Sequence, residues 1–276
     1  LSSIDKKRAF YAALVTANGA TQSESIKSAF ASVDRGRFLG PGPWKVMTAL
    51  GYIETPDDDP SFLYNDVVVA LRADRSINNG EPSLHARCIA AVAPKPGERI
   101  LHVGAGTGYY TAILAHLVGP SGSVAAYEIE PDLAAEAQQN LTDLPQVSVH
   151  ARSAIEPDLP PSDVIYVCAG ATHPPEPWLS ALKLNGRLIF PLSGTPGSGV
   201  MLMVTRVAEN SYAARIVCPA MFIPCMGASD PAEAEAVTAA SMKGGHREVR
   251  SLVRNYEPDK TAWLSGDGWW LSTVAT

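Results

Sequence analysis

Long hydrophobic runs, basic stretches and internal repeats are all missing from this chain. Nowhere in its 276 residues do about 18 apolar residues run together as a membrane-spanning helix requires, and residues 1–20 lack the uncharged apolar stretch of a secretory signal. Lysine and arginine number 22 against 28 acids, a net charge of −6, which leaves no electrostatic grip for nucleic acid or an anionic membrane. The only cysteines are Cys88, Cys168, Cys218 and Cys225, in apolar surroundings and without metal-ligand spacing. Each is expected to pack in the core rather than to bind metal or pair as a disulfide. Asp57-Asp58-Asp59 does not reopen the metal question, because consecutive side chains point apart and a calcium loop alternates its acids around a glycine. The expectation is a cytoplasmic protein with no metal, no nucleic-acid partner and no membrane.

What is present is organised around Arg99-Ile100-Leu101-His102-Val103-Gly104-Ala105-Gly106-Thr107-Gly108-Tyr109-Tyr110-Thr111-Ala112. The apolar, β-branched start predicts a buried strand, the glycines a tight turn, and residues 110–118 a helix with apolar side chains at helical spacing. Glycines let the backbone approach a ligand, and the helix start beyond them offers unpaired N–H groups. A second apolar run, Val124-Ala125-Ala126-Tyr127-Glu128, ends in an acid roughly 20 residues past the last glycine, where a carboxylate can accept both ribose hydroxyls. A dinucleotide site wants G-x-G-x-x-G, whereas the third glycine here comes one residue early. That spacing favours S-adenosylmethionine, which carries no pyrophosphate.

The rest of the chain supports an α/β architecture. Helical spacing over residues 4–18 and 23–32 predicts two leading helices, followed by glycine- and proline-rich loop to residue 60. A short strand is expected at 67–71, a polar loop at 74–83 and a helix at 84–92. Beyond Glu128, a helix at 131–140, strands at 147–150 and 163–168, a helix at 177–184 and a strand at 186–191 alternate as a mostly parallel sheet demands. Residues 200–207 and 212–217 then read as an antiparallel hairpin, which is typical of the Rossmann-like methyltransferase sheet. Past residue 228 an alanine-rich helix, a strand at 249–253 and a hairpin over 263–271 form an appendage. Its Trp263, Trp269 and Trp270 call for burial against the main body rather than exposure as a platform. The expected organisation is 1–80, helices and substrate loop; 81–228, cofactor-binding core; and 229–276, an extension packed on that core.

Taken together these segments resemble the protein-L-isoaspartate O-methyltransferase family, over roughly residues 10–226. The similar stretches are Ala31 to Phe38, Leu63-Tyr64-Asn65-Asp66, Val103 to Tyr109, Tyr127-Glu128, Leu182 to Pro191, and Met221-Phe222-Ile223-Pro224 as the closing strand. The resemblance implies S-adenosylmethionine held by Gly104, Ala105, Gly106, Thr107, Gly108, Glu128 and Ile129. His85 is implied near the methionine part. Ser153 and Ala154 are implied at the adenine, where the family has glycine-aspartate-glycine and this chain has Arg152-Ser153-Ala154. It also implies an acceptor site at Ser76-Ile77-Asn78, where the family's threonine-isoleucine-serine triplet holds the substrate carboxylate. Here Asn78 replaces the serine, the loop is longer, and Glu81 adds a negative charge beside the place an acid would bind. His102 stands where the family ends its strand in an acid, and reads as a supporting group rather than a catalyst.

Methyl transfer from a sulfonium is an in-line displacement governed by orientation. A carboxylate nucleophile is ionised at neutral pH and needs no base, so the lack of an evident histidine–acid or lysine pair in the sequence favours a carboxylate acceptor over an amine or hydroxyl. The expected activity is methylation of a peptide or protein carboxylate, with Asn78 and Ser76 on the acceptor side. Alternatives are a methyltransferase of another peptide acid or a small molecule, and a cofactor-binding module without turnover.

Overall fold

The computed structural model describes residues 2–276. In chain order its helices are α1 Ser3–Asn18, α2 Glu24–Ser32, α3 Pro82–Val92, α4 Tyr109–Val118, α5 Pro131–Asn140, α6 Glu176–Ala181 and α7 Pro231–Lys243. The strands are β1 Lys45–Thr48, β2 Gly51–Glu54, β3 Ala70–Arg72, β4 Ile77–Asn78, β5 Arg99–Val103, β6 Ser123–Tyr127, β7 Val147–His150, β8 Ser162–Val167, β9 Leu182–Ser193, β10 Gly199–Ala208, β11 Ser211–Pro219, β12 Ser251–Arg254, β13 Ala262–Gly266 and β14 Trp269–Ser272. They form two compact units, Leu1–Glu98 with Ala105–Arg152, and Arg99–Gly104 with Ser153–Thr276.

In the first unit α1 packs on α2 and α3, and α2 also packs on α4. Ser2 and Asp5 make a reciprocal capping box at the start of α1, and Ser23 caps α2, so both helices begin where a side-chain oxygen can satisfy their first N–H groups. Tyr11, Phe30, Tyr109 and Phe38 form a buried aromatic cluster with edge-to-face contacts, and the Tyr11 and Tyr109 hydroxyls lie 3.0 Å apart. β6 and β7 pair in parallel. A hairpin of β1 and β2 occupies part of the region expected to be loop.

The short strand expected at 67–71 is displaced to β3, which pairs with β4. Its predecessors are engaged elsewhere: the wholly buried guanidinium of Arg35 donates to the carbonyls of Leu63, Asn65 and Val67 and to Asn79 Oδ1. Val67 O is thereby committed to a side chain, while Val68 O accepts from Met47 N and Val69 bridges Val46 of the β1/β2 hairpin.

The second unit carries strands in the order β13-β14-β12-β11-β10-β9-β8-β5. β5, β8 and β9 are parallel, and every later pairing is antiparallel. The parallel strands are nearly continuous apolar runs, as strands covered on both faces must be. The α/β, Rossmann-like sheet with an antiparallel terminal hairpin is therefore as expected, but the extension does more than pack on it. β12 joins the edge of β11 through Tyr212 and Ala213, so β12 to β14 continue the sheet, and Trp269 and Trp270 are buried. The expected closing strand at 221–224 is instead a single bridge between Gly170 and Pro224, made by Gly170 N donating to Ile223 O at 2.8 Å and Cys225 N donating to Gly170 O at 2.7 Å. None of Cys88, Cys168, Cys218 and Cys225 is in a disulfide. Among the described residues no helix is long and apolar enough to cross a membrane, and no cluster of histidine, cysteine and acidic side chains is arranged to hold a metal.

Candidate active site

The glycine loop has the geometry its sequence demands. Gly104, Gly106 and Gly108 all have positive φ, at +74°, +55° and +101°, a region that costs any other residue conformational energy. Space is closed as well: a Cβ on Gly108 would sit 2.8 Å from Leu141, and one on Gly106 would sit 3.3 Å from Leu71. Thr107 ties the loop down, its hydroxyl donating to Phe38 O at 2.6 Å while its carbonyl accepts from Asn140 Nδ2 at 3.0 Å. α4 then starts at Tyr109 with no side-chain hydrogen bond at its N-cap, Gly108, so the positive end of its dipole faces the loop.

Glu128, at the end of β6, is only 6% exposed. Its Oε2 accepts from Gly106 N at 2.6 Å and its Oε1 from Glu130 N at 3.0 Å. Burial pushes its carboxyl above the usual range, with those backbone donors pulling the other way. Among the described residues no cation pairs with it, and a carboxylate has about four lone-pair sites, so acceptor capacity is left for a hydroxyl donor. Carboxylate, glycine cradle and helix dipole fit a nucleoside ribose. Ile129, next in sequence, is an exposed aliphatic side chain of the kind that can cover a base.

The hairpin β3/β4, which carries the residues expected on the acceptor side, belongs to the same unit. Leu71 abuts Gly106, and the Tyr110 hydroxyl of α4 donates to Gly80 O at 3.4 Å. Ser76 adopts the left-handed conformation at φ +56° and is exposed, and its carbonyl lies 3.5 Å from Asn78 Nδ2. Asn78 Oδ1 accepts from Gly80 N at 2.9 Å and its Nδ2 donates to Ser76 O at 3.5 Å, which fixes the orientation of the amide. Asn79 turns inward, where its Oδ1 accepts from both Arg35 and Val69 N. His85 is buried and stacks on Tyr110 with ring centroids 3.6 Å apart, directly beneath Gly80. It supports the hairpin turn from below. Partial desolvation, and then the neighbouring Asp66, push the Glu81 carboxyl upward.

Two arginines clamp this hairpin to the segment after Glu128. Arg72 donates to Asp132 at 2.8 Å and pairs with Glu136, while Arg75 donates to Asp132 at 2.6 Å and pairs with Glu130. Arg75 and then Arg72 hold the Asp132 carboxyl down at about 2. Neither this clamp nor the Arg35 anchor was singled out from the sequence; a lone arginine motif gives no sign of which carbonyls it will meet.

In the second unit, Ser153 Oγ accepts from Ile155 N and Ala154 O accepts from Trp178 Nε1, so this turn is fixed by its own hydrogen bonds. His102 is fully buried on β5 with its Nε2 3.3 Å from Cys168 Sγ, and burial pulls its imidazole down to about 3. It is neutral at ordinary pH and does not titrate in the working range.

Residues 7–230 match the family model for protein-L-isoaspartate(D-aspartate) O-methyltransferase. The chain belongs to that family. It is 31% identical over 170 residues to a protein-L-isoaspartate O-methyltransferase of Geotalea uraniireducens, covering 60% of this chain and 75% of that one. To the protein of the same description from Hyperthermus butylicus it is 29% identical over 232 residues, or 80% and 88% of the two chains. A solved protein-L-isoaspartate O-methyltransferase superposes with a TM-score of 0.67 at 25% identity, covering 80% of this chain and 66% of that one. The Plasmodium falciparum structure described as a putative member, in complex with S-adenosyl-L-homocysteine, shares the fold with a TM-score of 0.64 at 19% identity, covering 79% and 97%. This chain is accordingly an S-adenosylmethionine-dependent methyltransferase. The family match stops one residue short of α7, so α7 and β12 to β14 lie beyond it.

Proposed function

We propose that this methyltransferase transfers its methyl group to the carboxylate of isoaspartyl residues in peptides or proteins, as a repair activity of the cytoplasm. The observation that carries the reading is the Asn78 amide, oriented by the Gly80 N–H on a hairpin that packs through Leu71 against the cofactor loop. An amide NH₂ has two N–H groups, and one can donate to a carboxylate as the family's serine hydroxyl does. Ser76, left-handed and exposed, shapes the same turn.

S-adenosylmethionine supplies an electrophilic methyl on a sulfonium. In this reading Gly104, Ala105, Gly106, Thr107 and Gly108 pass beneath it, Glu128 accepts the ribose hydroxyls, and Ile129 covers the base. Ser153 and Ala154 take the family's adenine positions, and His85 supports the methionine end through the Gly80 turn. The residues so named orient a nucleophile that is already ionised, and orientation alone is worth much of such a barrier.

Labelled S-adenosylmethionine with an isoaspartyl peptide, beside its aspartyl twin, tests the proposal. Base-labile label on the isoaspartyl peptide only is the expected result, and Asn78→Ala should lower its turnover while S-adenosylhomocysteine still binds. Glu81→Gln should leave turnover equal or higher, because it removes a like charge. Label on neither peptide would refute the substrate assignment.

A further inference from the structure

The β3/β4 hairpin is fastened at its two ends by interactions that differ in kind. At its base, Asn79 N donates to Val69 O at 3.0 Å and Val69 N donates to Asn79 Oδ1 at 3.1 Å, while the buried Arg35 guanidinium holds Val67 O and that same Asn79 oxygen. Val69 is itself buried in a cluster with Leu39, Trp44 and Leu63. The base therefore belongs to the core. Toward the tip the ladder is short, pairing Ala70 with Asn78 and Arg72 with Ile77, and the turn closes on itself through Ser76 N donating to Ala73 O at 3.2 Å. Asp74, Arg75 and Ser76 are exposed. Among the described residues, the hydrogen bonds that tie positions 72–76 to anything outside the hairpin are those from Arg72 to Asp132 and Glu136 and from Arg75 to Asp132 and Glu130. The side chains in these pairs are between 26% and 44% exposed, so water and salt reach them.

Between base and tip the hairpin straddles Glu128. Glu128 Oε2 accepts from Gly106 N at 2.6 Å, and Leu71 lies 3.3 Å from where a Cβ on Gly106 would stand. Glu128 Oε1 accepts from Glu130 N at 3.0 Å, and the Glu130 and Asp132 side chains receive Arg75. The hairpin thus meets the chain on both sides of this carboxylate, by an aliphatic contact at Gly106 and by ion pairs beyond Glu130. Asp132 and Glu136 stand one turn apart on the same face of α5, an i,i+4 pair of like charges that on its own costs helix stability. Arg72 bridges the two and removes that cost.

We propose that Arg72 and Arg75 are positioning residues that gate the cofactor: the hairpin turns about its buried base, and S-adenosylmethionine enters and S-adenosylhomocysteine leaves only while the ion pairs at its tip are broken. The inference rests on Glu128 and the glycine loop holding the cofactor, and not on the isoaspartyl assignment. An exposed ion pair is worth about 1.4- to 5-fold in an equilibrium constant, so four together favour closure by about 4- to 600-fold. That is enough to keep a gate shut most of the time and too little to lock it. Closed, the same pairs hold the Asn78 hairpin against Gly106. Since the clamp joins protein to protein in the free and the loaded chain alike, it slows entry and exit by the same factor and leaves the equilibrium affinity unchanged. A clamp that only built the ribose site would behave differently, because its loss would speed exit alone and weaken binding.

The test measures association and dissociation rates of labelled S-adenosylhomocysteine by rapid filtration, and its affinity by titration calorimetry, on the full chain across a potassium chloride series. Wild-type rates should both rise with salt as the exposed pairs are screened. Replacing both arginines together, Arg72→Gln with Arg75→Gln, should raise both rate constants by at least about fivefold, keep Kd within about threefold and abolish the salt dependence. Arg72→Lys with Arg75→Lys should restore part of the slow exchange. Thermal melts report whether each variant is folded. Wild-type rates that stay flat across the salt series would overturn the gate without any variant. So would a folded double glutamine variant whose two rates lie within about twofold of wild type, or one in which dissociation alone rises and affinity falls to match. Unchanged exchange in that variant, beside lost affinity in Glu128→Gln, would refute the gate and leave the ribose contact standing. Faster exchange beside an unaffected Glu128→Gln protein would keep the gate and refute the contact.

Discussion

Replacing Glu128 with glutamine keeps the side chain's size and removes the feature on which ribose recognition depends. Both carboxylate oxygens already accept backbone N–H groups, from Gly106 and from Glu130. A glutamine must turn its NH₂ toward one of these donors, and that end can then no longer accept a ribose hydroxyl. Loss of one charge-assisted hydrogen bond is worth about 1.5–3 kcal/mol, or about a 10- to 150-fold rise in the Kd for S-adenosylhomocysteine. The pH dependence follows from the direction of the Glu128 shift. Burial raises its carboxyl, so the native state takes up a proton at higher pH than the unfolded chain does. Ionisation of this group consequently costs stability as pH rises through the raised pKa. Below that pKa the protonated carboxyl is a poorer acceptor, so wild-type affinity should fall on acidification earlier than for an ordinary carboxylate. The glutamine variant should lack that component. Isothermal titration over a pH series, with thermal melts to confirm folding, measures both effects. A folded Glu128→Gln protein that binds within about threefold of wild type at neutral pH would refute the ribose contact.

Arg35→Met should destabilise the protein by at least about 1–3 kcal/mol, because it leaves the carbonyls of Leu63, Asn65 and Val67 without their buried donor; urea denaturation measures it. Asp132, whose carboxyl the two arginines pull down to about 2, should contribute stability above the ordinary carboxylate range. Denaturation midpoints should show that advantage over Asp132→Asn fading as pH falls from about 4 toward about 2. Deleting the chain from Ser229 onward strips β12 from the edge of β11 and removes buried Trp269 and Trp270. The melting temperature should fall by about 5 °C or more, while S-adenosylhomocysteine affinity changes little; an unchanged melt would contradict the sheet continuation.

The sequence by itself determined what depends on near neighbours. The strand, glycine turn and helix over residues 99–118, the acid at 128, the alternation of strands and helices through β9 and the hairpin after it were legible because periodicity, turn residues and positive-φ glycines are local properties. The conformation of the glycine loop and the place of Glu128 were legible for the same reason: they are a short loop and one acid at the end of the next strand. Tertiary structure alone decided the rest. Nothing around Arg35 indicates that its guanidinium will take the carbonyls of residues 63, 65 and 67 and so keep them out of a strand. Nothing in the extension's composition distinguishes a tail packed on a sheet from three strands that prolong it, because burial of the tryptophans satisfies both. Arg75 and Asp132 are 57 residues apart, and each is unremarkable in its own surroundings. Hydrogen bonds of that kind form only after the chain has closed long loops, and the geometry that selects their partners belongs to the packed sheet and helix rather than to any segment of sequence.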